Sequence, residues 1–319
     1  MSVSGNDLAA VLGAAVLAAI GGEAFLRGIL GAAVALRVPK LLVATTLAAF
    51  ATSSPELTVS TMAALSGAPE IGLGDALGSN VVNVALIFGL ALLFGPVQAR
   101  RDELGRDYVL TLLIPLLTFW FAADHAIRRA EGLILLLLFA GWMGLHLRAA
   151  AAHRQAVAAT DSAAGSTHPL AALAWGVGGL IALIAAGRLF IVGASGIATA
   201  LGLDTFVIGA TVVAIGTSLP ELVTVILSRL RGHDDVGVGT VLGSNLFNGL
   251  AIVGIASSIH PIAVPLGEVT LTLASGVVAL LLLIPDRSQL IPRWRGPLLL
   301  LLYGGFVWAT LAAIHSFRG

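Results

Sequence analysis

Thr52-Ser53-Ser54-Pro55-Glu56-Leu57 recurs as Thr217-Ser218-Leu219-Pro220-Glu221-Leu222, and each copy is followed by Gly-Ser-Asn-x-x-Asn, at Gly78–Asn83 and Gly243–Asn248. Both pairs are separated by 165 positions (217 − 52 and 243 − 78), with no insertion between them. Over Ala49–Asn83 aligned with Ala214–Asn248, 15 of 35 positions are identical. The chain therefore carries a duplicated unit. Each copy sets a glutamate inside a long apolar stretch, where an ionisable group is costly and marks function.

The surroundings define the solvent. The chain of 319 residues is 58% hydrophobic and 11% charged, roughly half the charge of a soluble protein. Apolar runs near 20 residues recur, which predicts an all-α integral membrane protein. The alternating ~10-residue segments of a membrane β-barrel are missing. Ten spans fit, near 8–35, 41–65, 71–94, 108–123, 131–148, 170–200, 206–230, 237–259, 268–285 and 297–315. They divide into a first five-helix repeat at 1–148, a cytoplasmic Ala/Ser/Thr linker at 149–169 and a second repeat at 170–319. A net charge of zero argues against nucleic acid, and the lack of cysteine excludes thiol chemistry and disulfides. The N-terminus has no basic residue before its apolar run and reads as a first span.

With the N-terminus outside, the loops assigned to the cytoplasm hold twelve Lys and Arg and the outer side three, Arg128, Arg129 and Arg318. The positive-inside rule favours that orientation. Five spans before the second repeat make it cross in the opposite sense. The charges agree: Arg37 and Lys40 match Gly202 and Thr205, whereas Arg229 and Arg231 match Ala64 and Ser66. Inverted repeats of this kind build secondary transporters with sites near the midplane at broken helices.

Helical spacing puts Ala49, Thr52, Ser53 and Glu56 near one face, and Ala214, Thr217, Ser218 and Glu221 likewise. Pro55 removes the i+4 donor to the carbonyl of Ala51, and Pro220 that to Gly216, so unpaired carbonyls are expected beside the carboxylates. On the next helix Ser79 shares a face with Asn83, and Ser244 with Asn248. Every donor in this set is oxygen, which suits a hard cation such as Ca²⁺ or Na⁺. Plain alternatives exist. Membrane prolines often only kink a helix, with Ser or Thr re-satisfying the backbone, but a kink needs no glutamate. Gly72, Gly74, Gly78 and their partners read as helix-packing positions. Asn80 and Asn245 read as structural hydrogen-bonders, Asp75 as an access or surface charge, Glu70, Asp234 and Asp235 as solvated loop charges, and the seven histidines as interfacial. Glu23 and Arg188, also 165 apart, are either a charge pair joining the first and sixth spans or an i,i+4 pair of Glu23 with Arg27 beside a snorkelling Arg188.

The two motif pairs resemble the α-repeats of the sodium/calcium exchanger family, of prokaryotic type, within the cation/Ca²⁺ antiporter superfamily. The likeness spans essentially the whole chain. It implies ten helices in two inverted groups of five, in the plasma (inner) membrane. Glu56 and Glu221 look like shared carboxylates for Ca²⁺ and Na⁺. Thr52 and Thr217 look like ligands through their carbonyls. Ser53, Ser79, Ser218 and Ser244, with the carbonyls of Ala49 and Ala214, look like Na⁺ ligands, and Asn83 and Asn248 like the central pair. Ala51 departs from the family glycine, and Asn248 stands where several members carry Asp. The expectation is a secondary antiporter without a cofactor, not an enzyme, exporting Ca²⁺ against Na⁺ entry, with a monomer compatible. A proton-coupled or other divalent-cation antiporter is the alternative. An intramembrane hydrolase lacks the asymmetric nucleophile–base pair it would need, because both copies carry the same residues.

Overall fold

A computed structural model describes residues 4–159, 168–200, 214–264 and 266–318. They form α1 (Gly5–Leu36), α2 (Lys40–Thr52), α3 (Ser54–Leu65), α4 (Pro69–Leu93), β1 (Val97–Gln98), α5 (Arg101–Ala122), β2 (Ala126–Ile127), α6 (Arg129–Ala159) and α7 (Pro169–Ala200). The second part continues with α8 (Ala214–Thr217), α9 (Leu219–Leu230), α10 (Asp234–Ile259), β3 (Ile262–Ala263), α11 (Leu266–Leu282), β4 (Leu290–Ile291) and α12 (Arg295–Arg318). Among the described residues, α1, α4, α6, α7, α10 and α12 contain stretches long and apolar enough to cross a membrane, while α2 and α11 are shorter apolar helices. The exterior agrees. Leu8, Leu12, Val16 and Ile20 form an exposed stripe on α1, and Leu301 and Trp308 another on α12, where a soluble protein would carry charge.

Local chemistry sets the helix ends. The Ser4 hydroxyl caps α1 by accepting from the amide of Asn6 at 3.2 Å, and Pro69 opens α4 where its missing N–H costs nothing. The helix after Ala149, read as linker, continues to Ala159 because a run of four alanines favours it. Segment 160–167 and the start of the expected seventh span, 206–213, lie outside the described residues.

α1 and α7 pack at backbone distance. A side chain on Gly28 would meet Gly176, and one on Gly179 would meet the backbone of Phe25. Small residues at such contacts are how membrane helices gain van der Waals attraction. The central pair is α4 and α10, of which α10 is almost wholly buried. Along α4 the apolar core runs from Leu73 and Leu77, through polar Ser79, Asn80 and Asn83, to Ile87 and Phe88; the first group packs with Leu250 and Ile262, the last with Val241 and Ile291. Along α10 the order is reversed: Val241 and Leu242 belong to the second cluster, and Leu250 to Ala256 to the first. A polar layer therefore lies between two apolar clusters where the helices meet.

Two short antiparallel ribbons tie the ends. Val97 pairs with Ile291, and Ile127 with Ile262. Shifting β1 by 165 positions lands on β3 (97 + 165 = 262), and shifting β2 lands on β4 one residue out of step (126 + 165 = 291), so each ribbon takes one strand from each copy.

Candidate functional site

Both signature stretches break the helix at the serine. Ser53 (φ −82°, ψ 7°) separates α2 from α3, and Ser218 (φ −85°, ψ 12°) separates α8 from α9. These values lie in the sparsely used bridge region, in the same geometry twice. Pro55 and Pro220 then sit in the first turn of the following helix, where they are tolerated. The expected free carbonyl is not found at Ala51. Its oxygen accepts the Ser54 hydroxyl at 2.7 Å, because a serine beside the proline can fold back onto the preceding turn. The second copy has Leu219 there, and the carbonyl of Gly216 packs toward Gly187. The Ala49 carbonyl accepts the amide of Ser53 at 3.0 Å and the Thr52 hydroxyl at 3.4 Å.

The breaks bring the two glutamates into one buried layer, and the copies serve each other. The Ser53 hydroxyl donates to Glu221 Oε1 at 3.3 Å, and the Ser218 hydroxyl donates to Glu56 Oε1 at 3.4 Å. Ser244 also donates to Glu221 at 3.4 Å, and Thr52 lies 3.4 Å from Ser244. Glu56 and Glu221 are each 1% exposed. Ser79, on the Asn83 face of α4, is buried, and Thr217 and the backbone of Ala214 adjoin the second break.

Asn83 and Asn248 sit in matched widened turns of π-helix, Val82–Phe88 and Phe247–Ile252. Such turns recur at functional sites and were not legible as hydrophobic periodicity. Their amides are oriented by Asn80 and Asn245. The side-chain amide of each of these donates to the backbone carbonyl of the other, both at 3.3 Å. A carbonyl can only accept, so these bonds fix which way each amide points. Asn245 Oδ1 then accepts from Asn83, and Asn80 Oδ1 accepts from Asn248, both at 3.1 Å. With their nitrogens committed, Asn83 Oδ1 and Asn248 Oδ1 are left buried without a donor.

Glu56 Oε2 and Glu221 Oε2 are buried without donors as well. Leaving one buried polar atom unsatisfied costs about 1–3 kcal/mol, more for a charged group. Four such oxygens, two from each copy, are of the type that hard cations take as ligands. Among the described residues no cluster of three or more His, Asp or Glu could cage a metal, so neutral oxygens must supply much of any coordination. A crevice of about 310 Å³ reaches the breaks between Pro55, Thr58, Gly187, Gly216 and Pro220.

Comparison with known proteins matches this arrangement. The model of the sodium/calcium exchanger protein family covers residues 7–147 and 171–312. The chain belongs to the sodium/calcium exchanger family. A relative is the inner membrane protein YrbG of Escherichia coli, 32% identical over 290 residues and covering 86% of each chain. Another is the sodium/calcium exchanger MaX1 of Methanosarcina acetivorans, 28% identical, covering 90% of this chain and 93% of the relative. Solved structures of the sodium-calcium exchanger NCX_Mj, one soaked with Na⁺ and Sr²⁺, superpose with a TM-score of 0.78 at 28% identity, covering 93% and 96% of the two chains. This is the architecture of a cation/Ca²⁺ antiporter of the membrane.

Other sequence expectations moved. Of the two readings of Glu23, the i,i+4 pair with Arg27 is the one found, at 3.2 Å, with an unforeseen second partner in Arg231 at 2.8 Å, while Arg188 is exposed and lines the crevice. Asp234 is not a solvated loop charge, since Arg229 holds it at 3.0 Å in a half-buried pair. His146 is not interfacial but buried, 3.1 Å from Asp107, which also accepts from Trp142 at 3.0 Å. Gly239 and Gly243 pack on Thr45 and Ala49 as expected of packing glycines, whereas a side chain on Gly74 or Gly78 would point into space free of described residues. Their matched neighbours, positions 210 and 214, lie beyond or at the edge of the described segment.

Proposed function

We propose that the chain is a secondary antiporter that exchanges Na⁺ for Ca²⁺ and exports Ca²⁺ by alternating access. The observation that carries this reading is the set of four orphaned oxygens, Glu56 Oε2, Glu221 Oε2, Asn83 Oδ1 and Asn248 Oδ1, drawn equally from the two copies. A pseudo-symmetric site reached from two sides suits a transported ion, whereas acid–base chemistry would need two different environments. Ligation combines the twelve residues singled out from sequence: the glutamates by charge, the serines and asparagines by side chain, and Thr52, Thr217, Ala49 and Ala214 by backbone carbonyl. No cofactor enters the reading; Na⁺ and Ca²⁺ are cargo.

In this reading ten spans form two inverted five-helix repeats, 1–148 and 170–319, joined by 149–169, in the inner membrane with the N-terminus outside. The inversion is supported by the exchanged strand ribbons and by the reversed order of apolar clusters along α4 and α10. The bundle of α1 and α7 moves against the core to open each side.

The test is Ca²⁺ uptake into proteoliposomes. Vesicles loaded with Na⁺ and diluted into Na⁺-free buffer should accumulate ⁴⁵Ca²⁺, and an imposed pH gradient without Na⁺ should not drive uptake. Uptake driven by the pH gradient alone would make the counter-ion a proton and overturn the Na⁺ assignment.

A further inference from the structure

α3 and α4 form an antiparallel pair joined by a tight turn at 66–68. Their register is fixed where Gly72 lies against Ser60: the Ser60 hydroxyl donates to the Gly72 carbonyl at 3.0 Å, and a Cβ on Gly72 would meet the Ser60 backbone at 2.8 Å. One turn further along each helix puts Asp75 level with Glu56. Asp75 is also four residues before Ser79 and eight before Asn83, on the same helical face.

Asp75 Oδ2 is buried without a hydrogen-bond partner, and no basic side chain pairs with it among the described residues. Glu56, level with it on α3, likewise has an orphaned Oε2. A carboxylate oxygen in such surroundings is costly unless a cation attends it. The matched position in the second copy is Thr240, fully buried, with its hydroxyl turned back onto the Val236 carbonyl at 2.9 Å. The pseudo-symmetry is therefore broken at this position: an acid at the level of Glu56, a self-satisfied hydroxyl at the level of Glu221. Because Asp75, Glu56 and Glu221 do not form a single metal cage, Asp75 does not add a third charge to one ion.

We propose that Asp75 and Glu56 form an additional, outer cation subsite, through which Ca²⁺ passes between the external medium and the central layer. The proposal rests on the exchanger reading and its N-out orientation, which place the 66–68 turn outside; counted inward from the Ser60–Gly72 contact, Asp75 is three residues away and Glu56 four, so Asp75 is the nearer of the level pair to the external medium. Thr240 leaves the cytoplasmic route without an equivalent station, so the two routes differ in cation affinity.

The experiment measures Ca²⁺–Ca²⁺ exchange, which needs no counter-ion, in right-side-out and inside-out vesicles. Asp75→Asn and Asp75→Thr should raise the half-saturating Ca²⁺ concentration on the external side by about tenfold, as expected when one charge leaves a cation site. The cytoplasmic value should stay within about twofold, and Asp75→Glu should restore the external one. In Glu56→Gln the further effect of Asp75→Asn on equilibrium ⁴⁵Ca²⁺ binding to the purified protein should shrink, because two ligands of one ion are coupled. Equal shifts on both sides, no shift on either, or additive effects with Glu56→Gln would overturn the subsite. If the unsubstituted protein exchanges Ca²⁺ for Ca²⁺ but takes up none on a Na⁺ gradient, the Na⁺ reading fails while the subsite is still decided by the Asp75 variants.

Discussion

Ser53 and Glu221 lie 168 positions apart in the chain and 3.3 Å apart in space, hydroxyl to carboxylate. Ser218 and Glu56 repeat the contact at 3.4 Å with the copies exchanged. Neither copy can assemble the site alone. Ser53→Ala and Ser218→Ala should therefore cause losses of similar size, each removing one donor from the other copy's glutamate. Hydrogen bonds to charged groups contribute about 1.5–3 kcal/mol at good geometry, and these are long, so a fall in Ca²⁺ flux of about tenfold is expected for each. Initial rates in proteoliposomes at fixed ion gradient check this. A large loss in one variant and none in the other would mean the pseudo-symmetry has no functional counterpart.

Glu56→Gln and Glu221→Gln should each abolish Ca²⁺ transport while leaving the protein inserted and monodisperse. Glutamine keeps the shape and the ability to accept from Ser218 or Ser53 but removes the charge that a desolvated divalent cation requires. Flux is the readout, with size-exclusion profiles as the control for folding. A single-Gln variant with near-normal Ca²⁺ flux would remove that glutamate from the site.

Asn80 and Asn245 are expected to matter as much as the residues they orient. Asn80→Ala takes away the acceptor for Asn248, and Asn245→Ala the acceptor for Asn83, so an amide becomes free to turn its nitrogen where an oxygen is needed. Each should weaken Ca²⁺ binding by about 10–100-fold, the range for outer partners of metal ligands. Calorimetric titration of the purified protein with Ca²⁺ measures it. Alanine variants that bind as the unsubstituted protein does would make the asparagine square a packing device only.

Much of this was legible in the sequence, because the decisive signals are local or periodic. Apolar runs marked most of the described helix ends to within a few residues, though α5 starts seven residues before its expected span and α6 runs eleven past its own, and the 165-residue offset paired the motifs. What escaped depends on three-dimensional partners. Proline predicted a break but not its place: the chain turns at Ser53 and Ser218, and Ser54 silences the carbonyl that the proline frees. The π-helical turns leave no hydrophobic signature, since one extra residue in a turn is set by packing. Asn80 and Asn245 lie one residue from the Ser/Asn face, and only their contact across the α4–α10 crossing shows that they aim Asn83 and Asn248. Glu23 met Arg231, a residue 208 positions away with no motif to announce it.

The orientation can be tested directly because the chain has no cysteine. Ser66→Cys, in the exposed turn before α4, should react with an impermeant maleimide added outside intact cells. Asp235→Cys, in the first turn of α10, should react only after the membrane is opened. Both sites are remote from the oxygens of the central layer, so transport should survive. Labelling of both from the same side would reject the inverted repeat.

Glu23 and Arg231 join the α1–α7 pair to the end of α9, at the side assigned to the cytoplasm, through a 2.8 Å contact. α1 and α7 contact each other backbone to backbone through glycine and should move as one body. Opening the cytoplasmic side by shifting that body must part Glu23 from Arg231. The pair is partly exposed, with 28% and 58% of the two side chains accessible, so its worth to stability is small, about 0–1 kcal/mol. The same energy matters more to a balance between two conformations, where 1 kcal/mol is about a fivefold change in their ratio. Glu23→Gln and Arg231→Gln should then leave thermal stability nearly unchanged and alter turnover by about two- to fivefold, with little effect on Ca²⁺ affinity. The exchanged pair, Glu23→Arg with Arg231→Glu, should return turnover toward its original value. Arg188→Gln is the comparison, because Arg188 lines the crevice and does not meet Glu23 in this conformation. Turnover unchanged in both single variants, or losses that the exchanged pair does not recover, would show that the contact is a bystander to gating.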